Sequence, residues 1–159
     1  MKASTRLFAS AALVCFFAGS VRAQDNKLPA EARHILEKAD QLTLYSIDPR
    51  TEKEAPKDGF HGYKVLGTTT LKGDTQKKVV AGILKGMEGK IEPAKCFEPR
   101  HGIVATHEGK SVALVICFEC AQFYVHLDSA KEPRRLLIGK GPEPLLDKIL
   151  KEAGIPRAN

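Results

Sequence analysis

The chain has no tryptophan, and its seven Phe and three Tyr make up only 6% of the residues. It also lacks the motifs of several enzyme classes, including a G-x-S-x-G elbow, a P-loop and a C-x-x-C-H haem attachment site. After the first 18 residues there is no second long apolar run, no internal repeat and no low-complexity tract. These absences name no reaction, and they favour a protein that is not an enzyme.

The first 23 residues have the organisation of a secretory signal peptide. Lys2 and Arg6 form a positive start, and an apolar segment over residues 7–18 follows that is too short to span a bilayer as a helix. In residues 21–23, Val-Arg-Ala, small side chains occupy the two positions that a leader peptidase reads. We therefore expect cleavage after Ala23, a periplasmic or secreted protein, and no stable membrane span in the mature chain.

The net charge halves when this leader is removed. The full sequence has 25 Lys and Arg against 19 Asp and Glu, and the leader holds three of the basic residues and no acid. The mature chain therefore carries a net charge of +3, without a basic cluster interleaved with aromatics. We expect no nucleic-acid partner, and instead a protein or a small ligand in the cell envelope.

Apolar periodicity predicts a single α+β domain over residues 24–159. The order of elements favours an antiparallel sheet of about five strands with three helices packed on it. The strand at 111–117 is apolar on both faces and should be central. Its hairpin with the preceding strand turns at Glu108-Gly109. The predicted helices lie near 28–39, 74–87 and 142–153, and the predicted strands at 41–47, 62–71, 102–106, 111–117, 123–127 and, as a further one, 134–138.

The most informative feature is a group of cysteines and one histidine in the mature chain. Cys96, His101, Cys117 and Cys120 follow the pattern C-x4-H-x15-C-x2-C, which is close to zinc-ribbon spacing. Three thiolates and one imidazole would satisfy a structural zinc ion, so these four residues are the candidate metal ligands. On a regular strand Cys117 and Cys120 point to opposite faces, so the zinc site requires a turn or bulge at Phe118-Glu119.

A disulfide is the second interpretation of the same cysteines. With the Glu108-Gly109 turn, Cys96 falls near Cys120 across the strands. A cystine there closes a loop of roughly 25 residues and stabilises the fold by about 3 kcal/mol in the chain-entropy model. Cys117 is then a small buried residue with a free thiol.

A reactive thiol is the third interpretation. In the hairpin register Arg100 lies opposite Cys117, with His101 nearby, and an adjacent cation lowers the pKa of a thiol. Cys and His together can carry out nucleophilic chemistry. Arg100 is also a candidate binding residue, although pairing with Glu98 or Glu119 is the simpler expectation.

Two further histidines, His61 and His126, have different expected roles. His61 precedes a strand and can join a metal or ligand site, or remain a surface loop residue. His126 lies on the polar side of its strand and is expected to face water.

Several segments together resemble a family of small exported bacterial proteins of unknown function. The resemblance covers most of the mature chain and implies no activity. It implies that the cysteine segments, rather than the helices, are the signature of the family. The segments are Phe60-His61-Gly62-Tyr63, the C-x-x-P-R-H-G motif from Cys96 to Gly102 with Ile103, Val115 to Cys120 with its Cys-Phe-x-Cys motif, Pro142-Glu143-Pro144 and Ala153 to Pro156.

These observations predict an exported binding or accessory module whose hairpin is stapled by Cys96 with Cys117 or Cys120. A zinc-binding form of the same module is the alternative. A thiol-dependent enzyme that uses Cys117 with Arg100 and His101 is the third.

Overall fold

The computed structural model describes residues 26–50 and 56–158, so the predicted leader lies outside the described residues. Within those ranges the chain forms three helices and one six-stranded sheet, which confirms the α+β class with one strand more than about five. None of these helices combines the length and hydropathy needed to cross a bilayer. The elements are α1 (Ala30–Lys38), β1 (Gln41–Asp48), β2 (Lys64–Leu71), α2 (Gly73–Gly86), β3 (His101–His107), β4 (Lys110–Cys117), β5 (Gln122–Leu127), β6 (Arg134–Leu137) and α3 (Glu143–Glu152).

All neighbouring strands are antiparallel, in the order β2-β1-β3-β4-β5-β6. The doubly apolar β4 lies between β3 and β5, as predicted. Its register with β3 pairs His107 with Lys110 and His101 with Ile116. Glu108 and Gly109 between them have φ values of 49° and 75°. Two successive positive φ values are those of a type I′ turn, so the predicted two-residue hairpin turn is confirmed.

The helix bounds are set by residues that suit their first turns. Pro29 immediately precedes α1 and Pro142 precedes α3, positions where a missing N–H leaves no hydrogen bond unmade. The helix α2 begins at Gly73, so Asp74, predicted as its cap, lies inside the first turn instead. In the first turn its carboxylate still interacts favourably with the positive end of the helix dipole.

The helices cover one face of the sheet, and the main core lies between them and that face. No helix among the described residues packs on the other face, which we call the helix-free face and which holds a smaller apolar cluster. The main core includes Ile35, Leu36, Leu42, Leu44, Val79, Ile83, Ile103, Leu114, Ile116, Phe123, Leu136, Leu146 and Leu150. The helix-free face centres on Ile47, Phe60 and Val115, with Tyr45, Tyr63, Val65, Phe97, Val104, Ala113 and Tyr124 around them.

A short hairpin turn, Phe60–Tyr63, is fixed on the helix-free face by one aromatic ring. Phe60 and Tyr63 exchange two backbone hydrogen bonds of 2.8 and 3.0 Å. The ring of Phe60 stacks on Tyr45 with centroids 4.5 Å apart and lies over Gly102 of β3. A Cβ at Gly102 would come within 2.4 Å of the ring, so only glycine permits this approach.

Gly102→Ala should therefore lower the free energy of unfolding by about 2 kcal/mol, because overpacking at a rigid contact costs roughly 1–3 kcal/mol. Chemical denaturation measures the change. Gly141→Ala is the matched control, since nothing lies within 4 Å of a Cβ at that position. In a double-mutant cycle, Phe60→Leu should recover part of the loss. A Gly102→Ala protein as stable as the wild type would contradict the close contact.

Candidate functional site

The turn between β4 and β5 brings two of the three cysteines together. The strand β4 ends at Cys117, the chain reverses through residues 118–121, and Gln122 of β5 then pairs with Cys117. Ala121 closes the turn in the left-handed region with φ 53°, and its N–H donates to the Phe118 carbonyl at 3.1 Å. The reversal leaves the Cα atoms of Cys117 and Cys120 5.3 Å apart. This is the turn at Phe118-Glu119 that both thiols need in order to lie close together, because on a regular strand they would point to opposite faces.

Cys96 reaches the same place from the segment that precedes β3. Its Cα atom lies 5.6 Å from that of Cys120, and the three Sγ atoms lie within 4.8 Å of one another. Both Cα separations, Cys96–Cys120 and Cys117–Cys120, suit a disulfide. A sulfur atom forms one disulfide at a time, so Cys120 is the shared partner of two alternative cystines. Cys96 is exposed, whereas the other two cysteines are buried.

Hydrogen bonds hold the Cys96 segment on this turn independently of any covalent link. The Ala94 N–H donates to the Cys120 carbonyl at 3.1 Å. The Glu98 N–H donates to the Cys120 Sγ at 3.4 Å. The Gln122 side-chain amide donates to the carbonyls of Ala94 and Cys96. The cysteines are therefore held close together by the surrounding backbone.

The structure does not bring His101 to the three sulfurs. The register places His101 opposite Ile116, one residue short of Cys117, and successive strand residues face opposite sides of the sheet. His101 thus points toward the helices and is 1% exposed, with its Nε2 2.9 Å from Asp147 Oδ1 of α3. Within residues 26–50 and 56–158, the only metal-competent group of at least three Cys, His, Asp or Glu side chains is the three cysteines.

Arg100 pairs with the carboxylates of Glu119 and Glu98, which confirms the simpler of its two expected roles. Its guanidinium lies 3.4 Å from Glu119 Oε2 and 3.9 Å from Glu98 Oε2. These acids offset the positive charge that would otherwise favour a Cys117 thiolate. Cys117 is itself only 1% exposed, so a substrate cannot reach its sulfur in this conformation.

His101 belongs instead to a polar cluster beneath the C-terminal segment. Ser46 lies opposite it on β1, and the Ser46 hydroxyl donates to the Pro156 carbonyl at 2.6 Å. Arg157 donates to Asp147, the partner of His101. Serine, histidine and aspartate recur in hydrolases, but this serine is fully buried and its proton is given to a backbone carbonyl. The cluster therefore ties the chain end to the sheet.

His61 and His126 form a pair that no sequence pattern predicted. Their rings stack with centroids 3.8 Å apart and planes 27° apart. Both line a cleft of about 460 Å³ on the helix-free face. The floor of the cleft is a row of paired residues across three strands, Val104, Ala113 and His126. Residues 59–61 and 127–133 contribute its remaining walls.

The histidines in this cleft are poor bases. Burial, with a smaller contribution from the neighbouring His61, lowers the pKa of His126 to about 4. Partial burial also lowers the pKa of His61. Both imidazoles are therefore neutral at neutral pH, with a lone pair on one nitrogen of each ring. The pairing was not predicted because it depends on where the Phe60 contact holds the turn, which no local pattern specifies.

Comparison with known proteins adds no relative to this description. No protein-family model matches the chain, no curated protein matches it, and no solved structure matches it. Inferences about function therefore depend on the two sites themselves.

Acidification should destabilise the protein in part through His101. Burial lowers the pKa of this imidazole in the folded protein below the 6.5 of an ordinary histidine, against a smaller opposing effect of Asp147. Just below pH 6.5 the unfolded chain therefore binds more protons, and the free energy of unfolding falls as the pH drops toward the lower folded pKa.

His101→Gln should flatten the dependence of unfolding free energy on pH between about pH 6.5 and 5. Urea denaturation at several pH values measures the slope. Replacement of the exposed His34 by Gln is the control for loss of a histidine that is not buried. An equally steep slope in His101→Gln would show that this histidine does not contribute.

Proposed function

We propose that the protein is an exported binding or accessory module, periplasmic or secreted, whose three-cysteine cluster is a structural staple. The observation that carries this proposal is the 5.6 Å Cα separation of Cys96 and Cys120, which joins the segment before β3 to the β4–β5 turn. Export is supported by the leader pattern of residues 1–23, and an oxidising compartment favours cystine formation. The resemblance to small exported bacterial proteins agrees with this proposal.

The Cys96–Cys120 cystine is the more effective of the two alternatives. It joins residues 24 positions apart, whereas Cys117 and Cys120 are separated by three. In the chain-entropy model these loops give about 3.5 and about 2 kcal/mol of stabilisation. The Cys117 Sγ also accepts the Cys120 N–H at 3.2 Å, which is compatible with a buried free thiol.

Binding fits the described residues better than thiol catalysis. The three residues proposed for a thiol enzyme are separated or occupied, since Cys117 is buried, Arg100 is paired with acids and His101 is on the other face. The helix-free face, in contrast, offers a cleft in which polar side chains such as His61, His126 and Asp128 lie beside apolar ones and could hold a ligand by polar contacts. The partner we propose is a protein or a small ligand of the cell envelope.

Zinc binding is the second candidate, because the three Sγ atoms lie within 4.8 Å of one another. Thiolates bound to one zinc ion at about 2.3 Å are about 3.8 Å apart, so small side-chain shifts would suffice. With His101 engaged by Asp147, the fourth position would fall to water or to another ligand.

Replacing single cysteines should separate the two cystines by their effect on stability. Oxidised Cys117→Ala protein should keep the full difference in unfolding free energy between oxidised and reduced samples, about 3.5 kcal/mol. Oxidised Cys96→Ala protein can form only the short loop and should keep about 2 kcal/mol or less. Chemical denaturation with and without a reductant measures both differences. Full redox dependence in Cys96→Ala would contradict the proposed staple.

Metal analysis of protein purified from the exported fraction tests the zinc alternative. The staple proposal predicts less than one-tenth of an equivalent of zinc, and no change in melting temperature when a chelator is added. One equivalent of zinc, with three alkylatable thiols and unfolding on chelation, would replace the staple by a metal site.

A further inference from the structure

We propose that His61 and His126 form a binding site for one divalent transition-metal ion of the kind that prefers imidazole ligands, such as Ni²⁺ or Cu²⁺. The site lies in the cleft on the helix-free face and does not depend on the cysteine cluster. Along β5, His126 is about 13 Å from Gln122, next to the cysteine turn, at 3.3 Å per residue. The two sites therefore occupy opposite ends of one strand.

The scaffold places the two imidazoles together before any ligand binds. His61 is at the tip of a type I′ turn, with φ 48°, although positive φ is unfavourable for a residue with a side chain. The two backbone hydrogen bonds between Phe60 and Tyr63 close this turn, and the Phe60 ring over Gly102 fixes it to the sheet. The facing residue on β4 is the small Ala113, which leaves space beside His126.

The rings are close enough to share a metal ion after they move apart. Imidazole nitrogens bind such ions at about 2.0–2.1 Å, so two nitrogens on one tetrahedral ion are about 3.3 Å apart, and the centroids of their rings are about 5 Å apart. In the structure the centroids are 3.8 Å apart, so the rings must separate while one nitrogen of each stays close to the other. Stacked rings direct their lone pairs almost parallel, so binding requires the rings to rotate about χ2 until the lone pairs converge. The stacking is therefore expected to open when the ion binds.

The chemistry of the cleft also favours this class of ion. Neutral imidazole is the form of histidine that binds a metal. Asp128, two residues beyond His126, lines the same cleft and accepts hydrogen bonds from Ser111 through Oδ2. No third Cys, His, Asp or Glu side chain among the described residues completes a three-ligand group with these histidines, so water would fill the remaining positions on the ion.

The ligand atoms set the expected selectivity. Lys131 also lines the cleft, and its ammonium group repels all divalent cations alike. Hard ions such as Mg²⁺ prefer oxygen ligands, so two imidazoles do little to offset this repulsion. Ions that bind nitrogen strongly, in the order Ni²⁺ < Cu²⁺ > Zn²⁺, gain more from the two imidazoles and can offset it.

Isothermal titration of tag-free oxidised protein with Ni²⁺, after alkylation of its thiols, tests the proposal. We expect one ion per chain, undisturbed by a hundredfold excess of Mg²⁺. His61→Asn, which tolerates the positive φ, and His126→Gln should each weaken binding at least tenfold. The matched control is His107→Gln, because His107 and His34 form the other close pair of histidine rings, 5.5 Å apart. This control should bind Ni²⁺ as the wild type does.

Nuclear magnetic resonance of the wild type keeps the test independent of how the variants fold. Paramagnetic Ni²⁺ should broaden the amide signals of Ala113 and His126 first, and those of Cys120 and Phe97 much less. The proposal would be overturned by an absence of binding, by binding that alkylation abolishes, by variants that bind like the wild type, or by broadening centred on His107.

Discussion

Both candidate sites depend on the pairing of β4 with the strands on either side of it. The Glu108-Gly109 turn sets its register with β3, and the 118–121 turn sets its register with β5. Strand alternation then puts Ala113 and Cys117 on the helix-free face. A slip of one residue would turn both toward the helices. Cys117 would then leave the other cysteines, and Ala113 would leave the cleft that holds the two histidines. Because β4 is apolar on both sides and lies at the centre of the sheet, the burial that stabilises the domain also keeps this register.

The two faces of the sheet have different roles. The helix side is almost entirely apolar and adds His101 and Asp147 as a buried polar tie to the C-terminal segment. In the part of the chain that the structure describes, the helix-free side is covered by short pieces of chain, one anchored by Phe60 and one held at Cys120. Segments of this kind bury little area by themselves, so they need a specific attachment. An aromatic ring over a glycine supplies it at one end, and at the other end we propose that a cystine does so.

Local patterns were enough to predict most of the fold. Periodicity predicted the α+β class, the central β4 and the hairpin turn, and simple pairing predicted Arg100 with Glu119. Spacing alone suggested His101 as a metal ligand, although the same register that put it opposite Ile116 turns it away from Cys117. The pairing of His61 with His126 was missed for a different reason. It follows from a long-range contact, the Phe60 ring over Gly102, and a single sequence does not specify where such a turn will pack.

The most direct test of this account is the disulfide connectivity of the wild-type protein. Alkylation followed by proteolysis without reduction, and tandem mass spectrometry of the peptides, identifies which sulfurs are joined. The account predicts a peptide pair linked through Cys96 and Cys120, and an alkylated Cys117. A Cys96–Cys117 link, a Cys117–Cys120 link alone, or three alkylated cysteines would contradict it.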